Sequence, residues 1–157
     1  MSYNALKIAN AIIEKCYKKE INDISITKLH KLLYIVYGAY FYVNDNKLFD
    51  ELPAYFQYGP IFKSLQIAYK KHEFVLQGQR EIGAEVVNDN DLNIMIDKVL
   101  DTFGKYSAQQ LSNWSHRDGS AWSKVDKMSD FWGVDIDEDL IKGEFAKIVT
   151  LTPDNEV

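Results

Sequence analysis

His116, Arg117 and Asp118 stand together in the run S-N-W-S-H-R-D-G-S-A-W, and their types come nearest to a reaction. An imidazole two residues from a carboxylate is the pairing of a general base with the group that orients it. That reading requires an open pocket where both side chains converge with Tyr58 or Ser115. The simpler reading has His116 and Asp118 bonding loop backbone while Trp122 fills the core beneath. It is preferred, because Asp before Gly is ordinary turn chemistry and no second carboxylate stands nearby in sequence. Metal chemistry has less support. His30, His72 and His116 are scattered, and no Cys-x-x-Cys or His-x-x-x-His spacing occurs. Gly59, Gly78 and Gly83 do not build a phosphate cradle. Neither a metal nor another cofactor is expected.

The elements that would position these residues follow from periodicity. Thr27 to Val43, TKLHKLLYIVYGAYFYV, carries Leu29, Leu32, Leu33, Val36, Ala39, Tyr40 and Val43 at helical spacings. His30, Tyr34, Tyr37 and Phe41 form a second stripe beside the first. Only Lys28, Lys31, Ile35, Gly38 and Tyr42 are left to face water. A helix apolar on nearly all sides is a buried central helix around which the other elements pack. It is too rich in Tyr and Lys to span a bilayer easily. Gly38 costs about 1 kcal/mol of helix propensity relative to Ala, and close approach of another backbone is the expected compensation. Ser25 or Thr27 is the expected cap.

Before this helix, Tyr3 to Tyr17 reads as amphipathic, with Ile8, Ile12 and Cys16 on its apolar face. After it, Asn44-Asp45-Asn46 is a stop, Leu48 and Phe49 return to the core, and residues 53–58, PAYFQY, read as one strand or an extended segment. Pro60 is expected at the first position of a helix over residues 61–71, where its missing N–H is no loss. Residues 73–87 suggest a loop with a short β-hairpin, Val86 and Val87 being the best strand candidates. Asp91 is expected to cap a helix over 92–103 that Gly104 ends. Ser107 and Gln110 spell a capping box, and Ser120 a further cap. A last helix after Asp135 or Asp137 buries Leu140, Ile141, Phe145 and Ile148. The fold class is therefore mainly α, one multi-helix domain over residues 1–149 with at most a small β-hairpin or two short strands. Residues 150–157 form a polar tail.

The chain has 157 residues and is 46% apolar, enough for one sizeable core. Its net charge of −5 argues against a large nucleic-acid footprint, which needs clustered positive charge. Cys16 is the sole cysteine, so no intrachain disulfide forms, in keeping with a reducing cytoplasm. The first residues lack a secretion-signal pattern, and no transmembrane run is visible.

Three blocks together carry a family likeness. They are TKLHKLLYIVYGAY with Leu48-Phe49, AYFQYGPIFKSLQIAYKK, and YSAQQLSNWSHRDGSAW. Their order and spacing resemble the SocA-like, or Panacea, antitoxin domain, also seen in phage-associated proteins of the GepA type. The resemblance implies a cytoplasmic protein-binding module, encoded by a phage or prophage, that neutralises a cognate toxin. It singles out Lys28, Lys31, Tyr58, Gly59, Pro60, His116, Asp118 and Trp122 as motif residues. One departure is His30, where the family usually has Gln. Tyr42, Tyr55, Tyr58 and Trp114 are the candidate partly exposed aromatic anchors, since Tyr and Trp bury much area at little rotamer cost. Two rival readings stand beside this one: an enzyme centred on His116 and Asp118, and a nucleic-acid binder using Lys63, Lys70, Lys71, His72 and Arg80.

Overall fold

Caps fix where the helices begin. Asn4 is extended and its side-chain oxygen accepts from the Lys7 N–H at 2.9 Å, so the first helix, α1, runs Ala5–Lys18. Ser25, not Thr27, caps the second, α2, Ile26–Asn44, by accepting from the Lys28 N–H. Asp45 then turns left-handed, with φ 52, and ends it. The computed structural model describes residues 3–76, 88–125 and 132–147. Val86 and Val87, Arg80, Ile148 and the 150–157 tail lie outside the described residues.

Beyond α2, strands β1, Ala54–Phe56, and β2, Gly59–Ile61, pair antiparallel with Ala54 opposite Ile61 and Phe56 opposite Gly59. The segment around Val134 runs beside β1: the Tyr55 N–H donates to Val134 O at 2.8 Å, and Ala54 bridges Asp135. Then follow α3, Lys63–Lys70; α4, Asn90–Phe103; α5, Ala108–Ser115; a 3₁₀ turn, Trp122–Lys124; and α6, Glu138–Phe145. The fold is mainly α, with one two-stranded hairpin among the described residues, as the periodicity predicts. α2 packs against α1, β2, α4, α5 and α6. Among the described residues, no helix is long and apolar enough to cross a membrane.

Four details differ from expectation. Pro60 lies in β2, not at a helix start; the helix begins at Lys63, after an extended Phe62. Proline is tolerated there because β2 pairs on one side only, with β1. The cap of α4 is Asp89, which accepts from the Leu92 N–H, while Asp91 already sits in the first turn near the positive end of the helix dipole. The supposed wet side of α2 is dry: Lys28, Lys31, Ile35 and Gly38 are all buried, and only Tyr42 of that set is exposed. The aliphatic stems of both lysines lie in the core while their ammonium groups reach backbone carbonyls. Gly38, finally, faces an aromatic ring and not a backbone. A Cβ there would fall inside the Phe145 ring of α6, and Tyr34 meets the same ring edge-on at 5.5 Å.

Replacing Gly38 by Ala adds about 1 kcal/mol of helix propensity, but the methyl must displace Phe145. Overpacking of this kind costs about 1–3 kcal/mol. Gly38→Ala is therefore expected to lower the urea midpoint with an unchanged slope. On a Phe145→Leu background the same change should cost much less. Urea unfolding of the four proteins in the cycle measures the coupling.

Candidate functional site: a pinned hairpin tip

Gln57 and Tyr58 form the tip between β1 and β2. An isolated hairpin is marginal in water, and here side chains from distant elements hold its main chain. The Trp122 indole N–H donates to Phe56 O at 2.7 Å. His116 Nε2 lies 2.8 Å from Gln57 O. The Ser112 hydroxyl donates to Tyr58 O at 2.7 Å, and Lys31 Nζ donates to Pro60 O at 3.2 Å. One residue further, the Phe62 N–H donates to His30 Nδ1 at 3.2 Å. The three sequence blocks are thus one site: α2, α5 and the 3₁₀ turn supply side chains, and β1–β2 supplies the backbone they grip.

The tip tolerates little substitution in its frame. Gly59 has φ 112, a left-handed value that an L side chain resists, and an added Cβ would meet Ser115 Oγ and, at 2.7 Å, Lys31 Cε. Pro60 has no N–H to leave unpaired. Tyr58 itself remains 61% exposed.

Burial sets the charges beneath the tip. Lys31 is 2% exposed, and desolvation of its ammonium pushes its pKa down to about 7. His30 is pushed down to about 3, chiefly by burial and then by the neighbouring Lys31 charge. Geometry agrees. A backbone N–H can only donate, so the Nδ1 facing Phe62 carries a lone pair, and Nε2 is left to donate to Gln66 Oε1 at 3.0 Å. A neutral imidazole offers both a donor and an acceptor, and His30 uses both here.

Behind the site Glu144 is buried. Its Oε1 accepts from the Tyr34 hydroxyl at 2.6 Å and the Ala121 N–H at 3.1 Å, and its Oε2 faces Arg117 at 2.8 Å. Burial and the adjoining carboxylate hold the Tyr34 phenol well above its ordinary pKa.

Lys31, Tyr58, Gly59, Pro60, His116 and Trp122 are therefore brought together, while other candidates fall elsewhere. Lys28 donates to Asp23 at 2.6 Å and to Gly104 O at 2.7 Å, at the far end of α4. Asp118 is exposed in the turn before Gly119. Tyr42 is exposed on α2. Tyr55 and Trp114 are corrections, since both are buried and not partly exposed anchors. Tyr55 is stacked between Trp122, at 5.0 Å, and Trp132, at 5.2 Å. Trp114 packs on Phe103 at 5.1 Å with the Arg117 guanidinium 3.9 Å over its ring. Sequence reasoning missed Ser112 and Trp132. Ser112 stands four residues before His116 on the same face of α5, a spacing that carries the signal. Trp132, 56% exposed, gave none.

His116 is not placed as a general base. His116 Nδ1 is 2.6 Å from Ser112 O and Nε2 faces Gln57 O, so neither nitrogen presents a lone pair to an open pocket. Among the described residues, no hydrogen bond joins His116 to Asp118, and no group of His, Cys, Asp and Glu is arranged to hold a metal ion. Lys63, Lys70, Lys71 and His72 are exposed.

Residues 29–123 match the family profile described as antitoxin SocA-like, Panacea domain. Antitoxin SocA of Caulobacter vibrioides (strain NA1000 / CB15N) is 25% identical over 134 residues, covering 79% of this chain and 71% of that protein. No solved structure matches the chain.

The depressed bases give stability a direction in pH. Unfolded Lys31 binds a proton below its ordinary value of 10.5, but the folded group does so only below about 7. Stability is therefore lost as pH falls from 10.5 towards 7. His30 repeats the loss between 6.5 and about 3. Cys16, raised by burial from 9.0 to about 11, acts in the opposite sense above pH 9. Stability is thus expected to rise from pH 7 to 9, and Lys31→Met should flatten that rise. Urea midpoints measured across the interval check it.

Proposed function

The chain belongs to the antitoxin SocA-like, Panacea domain family, and on that premise we propose that it neutralises a toxin by binding it directly through the pinned hairpin tip. The observation that carries this reading is the division of labour at residues 56–60. Side chains from three other elements hold the main chain, while the Tyr58 side chain stays outside. A fixed loop loses little conformational freedom on binding, so more of its contact energy appears as affinity. An exposed Tyr on such a loop buries a large amphipathic ring at low rotamer cost. Trp132, laminated on Tyr55 at the edge of the same hairpin, supplies a second anchor. The toxin is the product of a neighbouring gene in a phage- or prophage-borne pair, and covering its surface is the whole mechanism. The protein needs no cofactor and performs no reaction.

Co-expression with the adjacent toxic gene is expected to restore growth, and the two products are expected to co-purify. Tyr58→Ala should weaken capture about tenfold or more, an effect of about 1.4 kcal/mol, with an unchanged melting temperature. Ser112→Ala with His116→Ala should weaken capture through a loosened tip, visible as faster amide exchange at residues 56–60. Full rescue by Tyr58→Ala together with Trp132→Ala would rule out the tip as the binding surface.

A further inference from the structure

α4 carries three kinds of side. Leu92, Ile96 and Leu100 are buried, against α2 for the most part. Asp97 and Asp101 turn to α1 and pair with Lys15 and Lys19. The third side reads Asp91, Ile94, Met95, Lys98, at i, i+3, i+4 and i+7, which is one stripe. Ile94 is 53% exposed on it, and neither Asp91 nor Lys98 is in an ion pair among the described residues. Beside the stripe lies an apolar groove of about 410 Å³ between α4 and α2, with Ile35, Ala39 and Val43 as its other wall. Val43 is 67% exposed there. None of these residues takes part in the hydrogen bonds of the hairpin.

We propose that this face is where a second copy of the chain docks, with α4 crossing its symmetry mate antiparallel about a two-fold axis. The occupant is selected by the order of charges. A two-fold through the point midway between Ile94 and Met95 sets residue 91 of one copy opposite residue 98 of the other. Asp91 then meets Lys98 of the second copy, and Lys98 meets its Asp91, so both ion pairs form at once. Ile94 of each copy meets Met95 of the other and points towards the groove, closing apolar surface on both sides. An isologous interface must be self-complementary in this way, and a stripe with an acid at one end, a base at the other and apolar residues between them has that property. A chance partner would not need the two charges equidistant from the apolar centre. The opposite charges at the rim fix the register of the crossing, and the apolar centre supplies the affinity.

Sedimentation and light scattering of the full chain from micromolar to millimolar concentration test this. The mass is expected to rise from 18.1 kDa towards twice that value. Asp91→Lys sets lysine against lysine across the axis and should weaken association about tenfold, and Lys98→Asp should do the same with two acids. The double variant D91K/K98D reverses both pairs and should restore the wild-type association. Ile94→Asp should abolish it. All three substituted positions lie on the outer side of α4, and circular dichroism reports whether each variant is folded. A chain that stays monomeric throughout overturns the proposal. So does a dimer indifferent to the single reversals, or one the double reversal fails to restore. Capture of the toxin by this groove in a monomeric chain would likewise overturn it.

Discussion

A helix buried on all sides over most of its length must answer its own polar groups inside the protein. α2 is such a helix, and it carries Lys28, His30, Lys31, Tyr34 and Tyr37 among its buried residues. An unpaired buried amine is too expensive to persist, so each buried lysine has to end on a fixed acceptor. Lys28 ends on the carbonyl of Gly104 and on Asp23. Lys31 ends on the carbonyl of Pro60. His30 ends on the Phe62 N–H and Gln66. Those partners are the C-terminus of α4, the second strand of the hairpin and the head of α3. The central helix therefore fixes the irregular chain around it through hydrogen bonds, in addition to burying apolar surface.

The same requirement operates on the other side of the helix. Tyr34 buries its hydroxyl against Glu144 of α6, and that carboxylate is in turn compensated by Arg117 and the Ala121 N–H. Arg117 lies over Trp114. One buried acid thus joins α2, α6, the end of α5 and the approach to the 3₁₀ turn. Removing a single partner from a buried, hydrogen-bonded charge leaves the remainder uncompensated, which is more harmful than replacing the whole set by apolar residues. Gly38 serves the same junction by volume, because only a residue without a side chain lets Phe145 lie flush on the helix.

How much of this was legible differs by residue and for physical reasons. The near-continuous apolar run from Leu29 to Phe41 announced a buried helix, since no other solution hides stripes that cover most of its circumference. Ser25, Ser107 and Gln110 announced helix starts because capping is local chemistry, settled within a few residues. Lys28 and Lys31 misled because hydropathy treats a lysine as a charge, whereas these side chains end on the carbonyls of Gly104 and Pro60, both distant in sequence. Pro60 misled because a proline suits both a first helical turn and an outer strand, and pairing with β1 decided between them. Tyr55 and Trp114 misled because aromatic type says nothing of stacking partners. Tyr55 is covered by Trp122 and Trp132, neither adjacent to it in the chain. His116 was read as a backbone-bonding residue, and it faces two carbonyls, that of Ser112 four positions back and that of Gln57, which lies 59 positions away and had no local signal.

The way the hairpin is held bears on what it can recognise. The groups that grip it touch carbonyls of residues 56, 57, 58 and 60, and main-chain carbonyls are the same whatever side chain they belong to. At Gln57 and Tyr58 the side chains are exposed and carry no part of the frame. At Gly59 the frame does depend on the residue, because Ser115 and Lys31 fill the space a Cβ would need. On the proposed function, fold and recognition fall to different atoms of the same short turn. On that function, a partner surface of different chemistry calls for new side chains at residues 57 and 58 and beside them at 132, and the changes at 57 and 58 leave every bond that positions the turn in place. A scaffold built on backbone grips is in this respect suited to meeting unrelated partners, whereas one whose tip side chains were themselves structural would lose its shape with each change of target.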